Sequence, residues 1–364
     1  MKKIISVVGA RPNFMKIAPL YKSLRKYEGQ IRHLLCHTGQ HYDVPMSGVF
    51  IDELDLPTPD FHLGVGSGSH AEQTARVMIE FDKILEAEKP EMIIVVGDVN
   101  STIACALVAT KLQIEVAHVE AGLRSFDRQM PEEVNRVLTD AISDYLFVSE
   151  RSGLVNLERE GIPREKTAFV GNTMIDSLIY YLPRARSSTI HKKLALDKSG
   201  YILVTLHRPS NVDSRENLTG IVQFLNALAL ERAIVFPVHP RTRTKLLEYG
   251  LNTLLATKIH LVDPIGYIDF IALTMNAKLV LTDSGGIQEE STYLGVQCIT
   301  LRSSTERPVT VEIGTNHLVG TDLGKAKETA LAILGGQLKL GQIPELWDGK
   351  TSERIASILQ RHLN

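Results

Sequence analysis

The 364-residue chain reads as an α/β protein of two Rossmann-like domains side by side, each built on a parallel sheet. Three observations predict this. Short β-branched runs alternate with longer helical patterns from end to end. The runs are almost wholly apolar, as strands are when helices cover both faces of a parallel sheet. Between two such series lies one polar interval without strand patterning, residues 182–200, carrying Pro183, Arg184, Arg186, Ser187, Ser188, Lys192 and Lys193. At this length two domains of ordinary size are expected, each able to bury its own core. The expected division is 1–182, 183–350 and a closing segment, 351–364.

Taken in order, the first strand is 4–8. It follows Met1-Lys-Lys and stops at Gly9 after five or six apolar residues, so it reads as a strand and not as a secretory signal. Strand 31–37 ends at Thr38-Gly39-Gln40-His41. Strand 92–96 is the longest apolar run, far short of the roughly 20 residues a membrane helix needs. It ends at Gly97-Asp98, and strand 116–119 ends at Glu120. Strands 146–148 and 168–170 complete the first series. The second series is 201–206, 234–238, 259–262, 279–281 and 297–301. Its strands end at His207-Arg208, at His239-Pro240-Arg241 and at Asp283-Ser284. In 351–364, Ile355, Ile358 and Leu359 recur at helical spacing, so a final helix is expected to pack back across the domain junction.

Composition narrows the function. Apolar residues make up 44% and charged residues 23%, as in a soluble globular enzyme. The net charge of −2 with interspersed signs argues against nucleic acid or a membrane surface as partner. Cys36, Cys105 and Cys298 have no C-x-x-C spacing, which points to buried free thiols in a cytoplasmic protein. Gly64-Val-Gly-Ser-Gly-Ser69 lacks the full G-x-G-x-x-G spacing, so NAD is not expected there. No H-x-x-x-H, H-E-x-x-H, G-x-S-x-G or G-x-x-x-x-G-K-[ST] pattern occurs. Neither a metal nor a cofactor is therefore expected.

The polar residues collect where parallel sheets bind ligands, beyond the carboxyl ends of the strands. The sharpest case is Asp283-Ser284-Gly285-Gly286 between an apolar strand and a helix. The two glycines allow a tight turn and close approach, Ser284 is a natural N-cap, and the helix N-terminus is a ready phosphate site. Glu289 and Glu290 follow within reach of ribose hydroxyls. At the other strand ends Arg11 and Lys16 could steady a polyanion. Several residues also have plainer readings. Asp98 would serve as a helix cap, and His118 as a satisfied core histidine. Glu132 and Arg136 would form an i,i+4 surface pair on a helix opened by Pro131. Glu120 resists such a reading, because a carboxylate closing an apolar strand needs a partner or a cleft.

These blocks together resemble a known family. Gly9-Ala-Arg-Pro-Asn-Phe-Met-Lys-Ile-Ala-Pro-Leu20, Gly97-Asp-Val-Asn-Ser-Thr102, His118-Val-Glu-Ala-Gly-Leu-Arg124 and Pro131-Glu-Glu-Val-Asn-Arg136 match in order. So do His207-Arg-Pro-Ser-Asn211, Thr282-Asp-Ser-Gly-Gly-Ile-Gln-Glu-Glu290 and Thr305-Glu-Arg-Pro308. The chain resembles the non-hydrolysing UDP-N-acetylglucosamine 2-epimerases over nearly its whole length. The resemblance implies a two-domain glycosyltransferase-B type architecture with a UDP-sugar substrate in the interdomain cleft, no cofactor and a homodimer. It implies that Ser284, Gly285 and Gly286 hold the diphosphate, that Glu290 grips the ribose and that Phe270 lies by the uracil. Arg11 and His207 would contact the diphosphate. Lys16, Asp98, Glu120, Glu132 and Arg136 would sit at the reacting centre. The implied reaction expels UDP with loss of the C2 proton, leaving a 2-acetamidoglucal, and re-adds it with a proton on the opposite face. The chain departs from the pattern at Asn13, at Pro209-Ser210-Asn211 and at Tyr42-Asp43. The latter sites, with Gln40-His41, are where some relatives bind a second UDP-sugar as activator. Similar blocks also belong to epimerases of UDP-2,3-diacetamido-glucuronic acid.

Overall fold

The computed structural model describes residues 1–39, 53–196 and 200–363, apart from the side chain of Arg11. Gln40, His41, Tyr42 and Asp43 lie outside the described residues. The chain divides into two compact units, Met1–Tyr180 with Glu345–Asn364, and Tyr181–Pro344.

The first unit is a parallel seven-stranded sheet. Its strands are β1 (Lys2–Val8), β2 (Ile31–His37), β3 (Phe61–His62), β4 (Met92–Val96), β5 (Glu115–Ala121), β6 (Tyr145–Val148) and β7 (Thr167–Phe169), in the order β3-β2-β1-β4-β5-β6-β7. The helices between them are α1 (Arg11–Leu24), α2 (His70–Glu88), α3 (Asn100–Lys111), α4 (Pro131–Ile142) and α5 (Arg151–Arg159). All five residues of β4 are buried, as a central strand covered on both faces must be. Val77, Phe81 and Leu85, spaced four apart on α2, pack with Ala104, Val108 and Ala109 of α3 over Ile5, Val7, Ile93 and Val95. Capping chemistry sets where α2 starts. Ser69 Oγ accepts from the Glu72 N–H at 3.2 Å, and Glu72 Oε2 accepts from the Ser69 N–H at 3.0 Å.

The closing helix, Thr351–Leu363, belongs to the first unit and packs against α1. Asp176 anchors its start by accepting the N–H groups of Thr351 and Ser352 at 3.2 and 2.6 Å. Trp347, fully buried, donates its indole N–H to the Ser149 carbonyl at 3.2 Å.

The next helix, α6 (Thr173–Arg186), runs on past Tyr180 through Pro183. The polar interval 182–200 therefore opens in helix, because its polar residues alternate with buried Tyr181 and Ala185 at helical spacing.

In the second unit α7 (Ile190–Lys193) precedes a parallel six-stranded sheet. The strands are β8 (Tyr201–Thr205), β9 (Ala233–Pro237), β10 (Ile259–Val262), β11 (Leu279–Thr282), β12 (Cys298–Thr300) and β13 (Asn316–Leu318), ordered β10-β9-β8-β11-β12-β13. Its helices are α8 (Pro209–Val212), α9 (Arg215–Ala229), α10 (Pro240–Glu248), α11 (Tyr267–Asn276), α12 (Gly285–Leu294), α13 (Pro308–Glu312) and α14 (Leu323–Leu334). The core joins Ile202, Val204, Leu279 and Leu281 to Ile221, Leu225 and Leu228 of α9 and to Ala326 and Ala330 of α14.

Every strand read from the sequence is present, and two short ones, β3 and β13, were not foreseen. In each sheet the order reverses beside the first strand, between β1 and β4 and between β8 and β11. Such reversals splay the flanking loops apart and leave a crevice at the strands' carboxyl ends.

Candidate functional site

In the first unit the expected reactive residues gather at the ends of β1, β4 and β5. Lys16, one turn into α1, meets Glu120 at 2.5 Å, with only 7% and 3% of their side chains exposed. Glu120 occupies the left-handed region at φ +74, where the register of β5 against β6 shifts between Val119 and Ala121. A non-glycine residue held there is strained by roughly 1–3 kcal/mol, and such strain concentrates at functional sites. Asp98, partly exposed, ion-pairs with the fully buried Arg136 of α4. Arg136 Nη1 also donates to Glu133 at 2.9 Å. Asn13 Oδ1 accepts the N–H groups of Gly9 and Ala10 at 3.2 and 2.9 Å, fixing the loop from β1 into α1.

Two plainer readings of these residues are corrected. Val99 is the N-cap of α3 and no side chain caps it, because the Asp98 carboxylate is engaged by Arg136 instead. Arg136 pairs with Glu133 and not with Glu132, since the helical turn puts Glu133 on the buried face. Glu133 also accepts from the Ser125 N–H, the Ser125 hydroxyl and the Phe126 N–H, at 2.8, 2.9 and 2.9 Å. Glu132 is partly exposed, with no ion-pair partner among the described residues. It is the carboxylate of this pair left for other work.

In the second unit Asp283, fully buried, organises the end of β11. It accepts the N–H groups of His207 and Arg208 at 2.9 Å each and the Asn211 amide at 3.0 Å, and lies 3.0 Å from His207 Nδ1. Burial alone would raise its pKa, but these donors, His207 foremost, hold it below the usual carboxylate range. His207 keeps 41% of its side chain exposed and its ring centroid lies 5.5 Å from that of His239.

Ser284 occupies the N-cap of α12, yet its hydroxyl makes no capping bond, and its N–H donates to Thr282 Oγ1 at 3.0 Å. The expected side-chain cap is thus absent because Thr282 closes the turn. Neither Gly285 nor Gly286 has positive φ. Gly285 is required for space, since a Cβ there would stand 2.6 Å from Arg307 Nη1. The start of α12 therefore combines helix N–H groups with a guanidinium, both favourable to an anion. Farther along α12, Glu290 accepts from the Tyr267 hydroxyl at 2.7 Å, which ties it to α11, the helix of the partly exposed Phe270. Arg11 opens α1, and its side chain lies outside the described residues.

Beside α12 runs a buried charged network whose pairing the sequence did not reveal. Arg302 pairs with Glu306 at 2.8 Å, Arg307 with Glu306 at 2.7 Å and with Glu289 at 2.8 Å. Glu289, read from the sequence as within reach of ribose hydroxyls, is buried against Arg307, and Thr305-Glu-Arg-Pro308 stood out only as a block of the resemblance. Among the described residues no group of three or more His, Cys, Asp or Glu is placed to hold a metal ion.

The family model for UDP-N-acetylglucosamine 2-epimerase matches residues 22–360. The chain belongs to that family. It is 45% identical over 365 residues to a UDP-N-acetylglucosamine 2-epimerase of Methanocaldococcus jannaschii, covering 98% of each chain. It is 40% identical over 368 residues to a UDP-2,3-diacetamido-2,3-dideoxy-D-glucuronate 2-epimerase of Pseudomonas aeruginosa, covering 99% of each. A crystal structure of the Methanocaldococcus jannaschii epimerase in complex with UDP-GlcNAc and UDP superposes with a TM-score of 0.91 at 44% identity, covering 99% of this chain and 100% of that one. The two parallel sheets are therefore those of the family's glycosyltransferase-B type α/β fold, and the family is one of isomerases.

Proposed function

We propose that this family member inverts C2 of UDP-N-acetylglucosamine, giving UDP-N-acetylmannosamine reversibly. The second unit grips uridine diphosphate and the first unit's acidic residues act on the hexose. The observation that carries the reading is Glu120: a buried carboxylate at φ +74, paired with Lys16 at a strand's carboxyl end. A structural role alone gives no reason for strain, burial and charge to coincide at that position.

In this mechanism the C1–O bond to UDP breaks as a carboxylate removes the C2 proton, leaving a C1=C2 double bond in a 2-acetamidoglucal. UDP then adds back to C1 while an acid protonates C2 from the other face. Asp98, Glu120 and Glu132 are the candidates for base and acid. Lys16 and Arg136 hold Glu120 and Asp98 in ion pairs. The departing diphosphate is stabilised by the Ser284 hydroxyl and the N–H groups of Gly285 and Gly286, with His207 and Arg11. Glu290 holds the ribose and Phe270 lies by the uracil. The three free cysteines, all buried, suit the reducing cytoplasm, where the enzyme acts as a homodimer.

The Pseudomonas aeruginosa relative supports a second substrate, UDP-2,3-diacetamido-2,3-dideoxy-D-glucuronate. Incubation with each sugar, followed by NMR of the H1–H2 coupling, separates the readings. A gluco-to-manno change with the acetamido hexose supports the first, and a change confined to the diacetamido uronate supports the second. UDP release that depends on an added acceptor would indicate a glycosyltransferase and overturn both.

A further inference from the structure

The turn carrying Asp98 is held through three successive carbonyl oxygens, each accepting from a side chain. Val96 O accepts from Asn13 Nδ2 and from Thr102 Oγ1, both at 3.0 Å. Gly97 O faces His118 Nε2 at 2.8 Å, and Asp98 O accepts from Asn135 Nδ2 at 2.9 Å. Gly97 takes φ +67, so the chain swings out of β4 here and its direction depends on these bonds.

His118 is the member whose chemistry is unusual. It is fully buried, and its Nδ1 lies 2.6 Å from Asp140 Oδ1. The other oxygen of Asp140 accepts from the Gly122 N–H at 3.0 Å and stands 2.7 Å from Arg124 Nη2. Burial disfavours charge on Asp140, but His118 and the permanently charged Arg124 outweigh it, so Asp140 is an anion. One imidazole nitrogen therefore faces a carboxylate and the other a carbonyl oxygen. A carbonyl oxygen has no proton to give, so the bond to Gly97 O runs from Nε2–H.

We propose that His118, donating from Nε2 to Gly97 O, is a positioning residue that fixes the Gly97–Asp98 peptide and so aims the Asp98 carboxylate at the hexose. Arg136 grips the carboxylate and His118 sets the backbone from which it springs. The proposal rests on the epimerase reading only in giving Asp98 its work.

The test uses nitrogen-15 NMR of the histidine rings in the wild-type protein at pH 8, with the His118 signal assigned by its loss in His118→Gln. Kinetics of two variants accompany it. Glutamine places an amide nitrogen near the Nε2 position and can restore the Gly97 bond, whereas His118→Asn places one near Nδ1 and cannot. Nε2 should carry a proton. His118→Asn should lose roughly 100-fold in kcat with KM and UDP affinity little changed, and His118→Gln should recover to within roughly tenfold of wild type. An Nε2 without a proton overturns the proposal, as does an equal loss in both variants that tracks Tm. If the wild-type protein epimerises no UDP-sugar, the functional reading fails alone. The ring signal, and the Asp98 amide resonance in the two variants, still decide whether His118 holds the turn.

Discussion

Lys16 and Glu120 form a buried ion pair 2.5 Å apart, and Glu120 holds its end of it from the left-handed region of the backbone. The pair sets an ammonium group against a carboxylate where little water reaches either. Replacing Glu120 by Gln keeps shape and removes one of the candidate proton-transfer groups. Turnover should fall by at least about 100-fold, while UDP affinity stays within about twofold by calorimetry.

Asp98 and Arg136 make the second pair. Asp98→Asn should likewise lower kcat by about 100-fold or more with little change in UDP affinity. Near-normal epimerisation by this variant, measured by NMR, would remove Asp98 from the chemistry.

Adjacent Glu132 and Glu133 should separate cleanly. Glu133 joins Arg136 to the loop at Ser125 and Phe126, so Glu133→Ala takes one carboxylate from a buried guanidinium and the acceptor from three loop donors, and should cost about 3–5 kcal/mol in urea unfolding. Glu132→Gln touches no ion pair among the described residues and should leave the unfolding midpoint unchanged while turnover collapses.

Gly285→Ala sets two effects against each other. Alanine favours a helix by up to about 1 kcal/mol. Its Cβ, however, would crowd Arg307, which Glu306 and Glu289 hold in place. Displacing that guanidinium from the start of α12 should weaken UDP about tenfold, or 1.4 kcal/mol, with Tm changed by only a few degrees. Titration calorimetry reads the first and thermal unfolding the second.

Stability should also rise with pH in mildly acid solution. Burial, with neighbouring His62, pushes the pKa of His37 down to about 4. A histidine depressed on folding takes up its proton more readily when unfolded. Its contribution is complete above the unfolded value near 6.5 and is lost as pH falls toward 4. Urea unfolding at pH 5 and pH 6 should differ by up to about 1.4 kcal/mol from this group. His37→Phe, which keeps the ring beside Phe14, should flatten that slope.

Much of this was legible in the sequence because parallel strands covered on both faces must be apolar. The runs at 92–96 and 201–206 announce themselves without any partner in view. Edge strands carry no such demand: β3 has two residues and β13 reads Asn316-His-Leu318, so nothing in their composition marked them. At the site, residue types at strand ends drew attention to Asp98, Glu120 and His207, but pairing could not be read. Whether Glu132 or Glu133 meets Arg136 depends on which face of α4 is buried. Whether His118 is an idle core residue or a clamp on Gly97 depends on what lies at both of its nitrogens. The Arg302, Glu306 and Arg307 network belongs to tertiary packing and had almost no local signature.

The proposed role of Glu120 in removing or returning the C2 proton is tested most directly by hydrogen exchange at C2. UDP-N-acetylglucosamine is incubated in D2O with wild-type protein and with Glu120→Gln, and deuterium at C2 is followed by NMR. Deuterium should enter both epimers with the wild type and neither with a variant that still binds UDP. A manno product that keeps its original C2 hydrogen, or undiminished exchange in Glu120→Gln, would contradict it.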